Sequence, residues 1–259
     1  MKRSSGARIA ATVAVSALSL ALVTGCGGDS DDSKGSEASS SPTRAAKALG
    51  AAELEKLLLA TADLKGYKAA SGDDTLPKSK SEVKGAEAEC APLGYAMAGL
   101  APGDTDANVS NTITADNTSA AASKSPDDIS EADLENAFNV DVTFVGLSSY
   151  DGDGAEKAFK AVSDGITACS GGFGATLQGE DLKIAEVAPV KASGKGDESV
   201  AFSVESDMDG EGTATFNTEV VRVGNTVATF YTVNFAALGG GKAADVPTAV
   251  IEAQVTKLK

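Results

Sequence analysis

Side chains able to do chemistry are few in this chain and poorly grouped. It has three cysteines, Cys26, Cys90 and Cys169, and neither histidine nor tryptophan. Without imidazole it lacks the usual general base near neutral pH and the commonest zinc ligand. Ser81 and Lys84 have the Ser-x-x-Lys spacing of a serine nucleophile and its lysine, but the Ser-Asp-Asn and Lys-Thr-Gly elements that complete such a site are absent. No Gly-x-Ser-x-Gly, phosphate loop or zinc-ligand spacing occurs. Asp207, Asp209 and Glu211 occupy the first, third and fifth places of a calcium-type loop, with Gly212 at the sixth. The twelfth place holds Thr218 where a bidentate Glu is needed, and the flanks read as strands. The expectation is an acidic loop between two strands, with no metal, no cofactor and no catalytic residue. Asp151 and Asp153 fit helix capping better than catalysis.

The first of the cysteines has a context of its own. Lys2, Arg3 and Arg8 precede an uncharged apolar segment over residues 9–23, a signal-peptide pattern too short for a comfortable membrane span. Val23, Thr24, Gly25 and Cys26 close that segment, and they resemble the lipobox of bacterial lipoproteins: an aliphatic residue, a small residue and Gly or Ala before a Cys. The resemblance implies that the thiol of Cys26 is joined to diacylglycerol and that cleavage just before it makes Cys26 the first mature residue. Acyl chains contribute about 0.8 kcal/mol per buried CH₂, so two or three of them hold a protein on a membrane without spanning it. The bland alternative is an ordinary secretory peptide with a Cys near its cut. On the lipobox reading Cys90 and Cys169 remain as an even pair in an oxidising setting, where a disulfide is the default and two buried free thiols the alternative.

Charge and composition narrow the partners. The net charge is −15; losing residues 1–25 removes three cations and no acid and leaves −18. Such acidity argues against nucleic acid and against adhesion to an anionic lipid surface. Residues 27–47 are mainly Gly, Ser, Asp, Glu, Lys and Ala without apolar periodicity and cannot bury enough surface to order themselves. They read as a tether of about 20 residues with an end-to-end distance of roughly 25 Å. The organisation is therefore signal peptide 1–25, acylated Cys and tether 26–47, and a single folded domain 48–259.

Within that domain, Leu54, Leu57, Leu58 and Thr61 recur at helical spacing and predict a helix over 48–62. Residues 63–89 read as a turn and a polar stretch. Cys90, Leu93, Met97 and Leu100 mark a second helix with Pro92 in its first turn. Alternation predicts strands over 108–116 and 140–149, separated by an exposed loop with one helical turn near 130–137. Asp153 to Glu156 has capping-box spacing and opens a helix whose apolar stripe of Phe159, Val162 and Ile166 ends at Cys169. Four further strands are expected: 175–190 interrupted near Gly179, 198–206, 213–223 and 226–235. Gly224-Asn225 joins the last two as a two-residue turn, which sets Thr218 opposite Tyr231 and Val220 opposite Thr229. Asp245 is expected to cap a closing helix with Pro247 early in it.

The order of several weak motifs carries a further resemblance. Asp-Leu-x-Gly-Tyr at 63–67, a Cys-bearing helix, a strand ending in Ser149-Tyr150, a helix ending in Cys169, Gly-Asp-Glu-Ser at 196–199 and Val-Arg-Val-Gly-Asn at 221–225 are similar to the extracellular sensor-domain family of actinobacterial receptor Ser/Thr kinases of the PknH type and of related lipoproteins. The likeness spans residues 48–259. It implies an α+β domain with a twisted antiparallel sheet, helices packed mainly on one face and a groove for a ligand. The kinase domains typically have two disulfides and a Trp; this chain has one possible pair and no Trp.

Together these readings imply a lipid-anchored lipoprotein on the extracytoplasmic face of the cell membrane, acting as a non-catalytic ligand-binding or sensing module for an unknown envelope ligand or protein. The alternatives are an envelope-associated carboxylate-based hydrolase, which needs paired acids in a deep cleft, and a structural protein-docking lipoprotein, which needs an exposed apolar patch. The candidate ligand residues lie on the wetter face of the last hairpin, where Asn217, Glu219, Thr232 and Asn234 surround Phe230. The bland alternative is a solvated outer sheet face with one stray aromatic. Cys26→Ser is expected to abolish incorporation of radiolabelled fatty acid into the protein; label on the variant equal to wild type would refute the anchor.

Overall fold

The computed structural model describes residues 47–71, 76–84, 87–116, 130, 139–177, 180–208, 212–234, 236 and 243–259. The signal segment, the tether, the helical turn expected near 130–137 and residues 209–211 of the acidic loop lie wholly or largely outside them. Nine strands form one sheet: β1 (Tyr67–Ser71), β2 (Val83–Lys84), β3 (Asn108–Ala115), β4 (Asp141–Ser149), β5 (Phe173–Leu177), β6 (Glu180–Val190), β7 (Glu198–Asp207), β8 (Thr213–Val223) and β9 (Thr226–Asn234). Their order is β1-β3-β4-β9-β8-β7-β6-β5-β2, and every neighbouring pair is antiparallel. Four α-helices are described: α1 (Ala51–Leu57), α2 (Ala91–Met97), α3 (Gly154–Ala168) and α4 (Thr248–Leu258). The α+β class and the antiparallel sheet match the expectation.

The hairpin register also matches, because Thr218 faces Tyr231 and Val220 faces Thr229. Gly224 takes φ of +58°, the conformation that the first position of such a turn demands and that a side chain resists. Tyr67–Ser71 falls where the sequence predicts the end of a turn and the start of a polar stretch. With only Tyr67, Ala69 and Ser71 on one side, and Ala a weak strand former, it becomes a strand only because β3 offers it an edge. Val83–Lys84 is too short to show any period.

Placement of the helices corrects the expectation that they pack mainly on one face. Helices α2 and α3 lie on one face, burying Leu93, Ala96, Met97, Phe159, Val162 and Ile166 against Phe144, Phe202, Phe216, Val220 and Val227. Helices α1 and α4 lie on the other, burying Leu54, Val250, Ile251 and Val255 against Ile113, Val145, Leu147, Val221, Ala228 and Phe230. The physical reason is in the central strands. Val145 and Leu147 alternate with Phe144, and Ala228 and Phe230 alternate with Val227, so β4 and β9 are apolar at both parities and require cover on both sides.

Helix ends depart from expectation too. The first helix stops at Leu57, five residues early, and Leu58 is extended. The Gln254 amide of α4, fully buried, donates to the Leu57 carbonyl at 2.7 Å and accepts from the Leu59 N–H at 3.2 Å. Lys257 Nζ donates to the Leu58 carbonyl at 2.8 Å. Partners from another helix thus satisfy the groups that another turn would have satisfied. Asp153 holds the N-cap position of α3 without a cap hydrogen bond and instead pairs with Lys157 at 2.9 Å, while Asp151 accepts from the Ala48 N–H at 2.7 Å. Pro247, and not Asp245, occupies the N-cap position of α4.

Cys90, just before α2, and Cys169, at the end of α3, are joined by a disulfide with 5.8 Å between their Cα atoms. Both are buried. Their sequence separation of 79 makes the closed loop large, and the chain-entropy account assigns a loop of this size about 4.5 kcal/mol. Reduction is expected to lower the melting temperature by many degrees in one cooperative transition, read by circular dichroism with and without reductant. An unchanged melting temperature would refute that contribution.

Candidate functional site

The hairpin face proposed from sequence is brought together as its register requires. Glu219 pairs with Phe230, Asn217 with Thr232, and Asp141 with Asn234. It is not the floor of a groove. Phe230 is fully buried in the cluster beneath α1 and α4. Thr232, also fully buried, shares a hydrogen bond of 3.0 Å with Thr143. Asn217 donates to the Ala244 carbonyl at 3.1 Å. Asn234 donates to Asn139 and Asp141 at 2.7 and 2.9 Å and accepts from the Ala236 N–H. The Glu219 carboxylate accepts the Ser193 N–H at 3.0 and 3.2 Å and the Ser193 hydroxyl. Burial pushes its pKa up, and the Ser193 hydrogen bonds oppose that shift. These polar groups are internal ties, which corrects the reading of Phe230 as a ligand anchor. An alternating strand pattern does not reveal which helix will cover a face.

Two cavities adjoin β3 instead. A cavity of about 610 Å³ on the α2 side is bounded by residues 76–81, by Leu100 and Ala101 after α2, by Thr105 and Asp106, and by Asn108–Asn111. A second, of about 790 Å³, lies between the end of α1, residues 69–71 of β1 and the same four residues of β3. Both volumes fall in the range of small-molecule sites. None of the five residues proposed from sequence lines either cavity.

A relay that begins in the sheet ends at Lys80, the one of its members that lines the first cavity. Ser148 of β4 shares a hydrogen bond of 3.1 Å with the Tyr150 hydroxyl, and that hydroxyl accepts the Gly103 N–H at 3.1 Å. Burial raises the Tyr150 pKa, which keeps the phenol protonated. A Cβ on Gly103 would stand 2.7 Å from that of Ala158 in α3, so only glycine lets the loop after α2 sit this close. The Gly103 carbonyl then accepts from Lys80 Nζ at 2.6 Å, and the ammonium lies 4.8 Å from the centre of the Tyr95 ring. Burial lowers the Lys80 pKa, and the charge of Asp104 counters this weakly. Sequence reading passed over Lys80 because it stands in an aperiodic polar stretch; a Lys between two serines was its only signal.

The remaining sequence candidates stay apart from this cavity or contribute only its rim. Ser81 lines the rim, with its hydroxyl 2.7 Å from that of Ser79, whereas Lys84 is exposed on β2. Asp207 ends β7 and pairs with Lys183 at 3.0 Å, and Thr218 is fully buried within β8. Among the described residues no three potential metal ligands gather, and no helix is long and apolar enough to cross a membrane.

A scan against family models finds no match, and no curated protein matches the chain. Among solved structures the chain is similar to the crystal structure of the extracellular domain of PknH from Mycobacterium tuberculosis, at 12% identity over 82% of this chain and 97% of that one, with a TM-score of 0.46.

Because Phe230 is packed on every side, Phe230→Ala is expected to cost about 3–5 kcal/mol of unfolding free energy. Urea denaturation measures this, and a loss below about 1 kcal/mol would contradict the buried placement.

Proposed function

We propose that the protein is a lipid-anchored module on the outer face of the cell membrane that binds or senses a ligand and performs no catalysis itself. The observation that carries this reading is the Cys90–Cys169 disulfide, a bond that persists in oxidising compartments and is rare in the cytosol. It ties α2 to α3, and the residues that leave α2, Leu100 and Ala101, form one wall of the 610 Å³ cavity. A preformed cavity beside a covalently fixed helix suits binding with little reorganisation. The lipobox at Val23 to Cys26 and the polar residues 27–47 supply the anchor and the reach.

Added trypsin is expected to release the folded domain from intact cells, cutting at Lys34, Arg44 or Lys47 while a cytosolic marker stays whole. Protection of the domain until the cells are lysed would overturn the assignment.

A further inference from the structure

We propose that the 610 Å³ cavity takes a small organic anion with an apolar flank, a carboxylate or phosphate monoester whose charge is met by Lys80. This deepens the binding-module reading and rests on it. The argument starts from charge. In a chain of net charge −15, a cation set into a cavity wall is conspicuous, and the Lys80 side chain is only 31% exposed. Its close partners are uncharged: the Gly103 carbonyl at 2.6 Å and the face of Tyr95. The acid nearby, Asp104, stands 4.0 Å away with its side chain fully in water, where such a pair contributes little. Lys80 therefore bears the desolvation cost of a partly buried cation with only that solvent-exposed acid to offset it, in keeping with its lowered pKa. An anion brought to Nζ offsets that cost.

Geometry fits the same occupant. An ammonium has three donors; one is committed to Gly103, and the Ser148–Tyr150–Gly103 relay sets the position of that carbonyl. The charge is thus held in place before a ligand arrives, which reduces the ordering cost of binding. Leu76, Leu100 and Val109 line the same cavity and provide the apolar flank. Among the described residues, the other charged groups lining it, Lys78 and Asp106, are of opposite sign, which leaves Lys80 as the excess charge there.

The test uses the processed, acylated protein from Cys26 onward in nanodiscs of zwitterionic phospholipid, with benzoate, phenyl phosphate and uncharged benzyl alcohol as probes in saturation-transfer NMR titrations. Both anions are expected to bind saturably and at least tenfold more tightly than the alcohol. Lys80→Met should weaken the anions at least tenfold and leave the alcohol unchanged, and Lys80→Arg should retain anion binding. Equal affinity for benzyl alcohol, anion binding that survives Lys80→Met, or no binding of either anion would each overturn the assignment. Binding of the alcohol alone would leave a ligand cavity in place without a role for Lys80, and the location of the module is decided separately by the protease experiment.

Discussion

The architecture depends on burying both faces of its central strands. Strands β4 and β9 lie third and fourth in the sheet order, and both are apolar at even and odd positions, so neither can face water on either side. Two helices on one face and two on the other follow from that constraint. Apolar surface removed from water contributes roughly 25 cal/mol per Å², and leaving either face uncovered would forfeit that contribution from a domain whose net stability is only about 5–15 kcal/mol.

Covering both faces forces polar side chains inside, and the fold meets most of that demand with specific partners, leaving the side-chain oxygens of Asn108, Asn111, Thr218 and Thr229 without one among the described residues. Gln254 serves the chain after α1, Thr143 and Thr232 serve each other, and Glu219 receives the Ser193 N–H and hydroxyl. Asn111 donates to the Leu59 carbonyl at 2.7 Å. Each tie links segments far apart in sequence, so the polar groups specify which element covers which part of the sheet. Burying them without partners would cost about 1–3 kcal/mol apiece.

The cavity beside α2 arises where this packing thins. Past α2 the chain turns through Gly99 and reaches β3 within ten residues, and residues 76–84 pass from the β1 edge to the opposite edge, where β2 pairs with β5. A small cluster of Val83, Ala98, Leu100 and Tyr95 supports that crossing segment. Lys80 rides on it with its ammonium over Tyr95. The disulfide at the start of α2 and the Tyr150–Gly103 contact after it hold that helix and the loop beyond it at both ends.

By itself the sequence determined the local features whose cause is local. The alternation of β3 and β4, the Gly224-Asn225 turn with its register and the apolar stripe of α3 follow from spacing and residue type, and the pairing of the two downstream cysteines from the lipobox resemblance that sets Cys26 apart. Tertiary structure decided what depends on distant partners. Helix α1 ends where Gln254 and Lys257 take over its carbonyls, β1 exists because β3 lends it an edge, and Phe230 is core because α4 returns to cover it. The same holds for the candidate site. Lys80 belongs to an aperiodic stretch, and its meaning depends on a carbonyl 23 residues away and on a glycine that lets a loop touch α3. Periodicity reports which side of an element is apolar; it carries no information about what that side will meet.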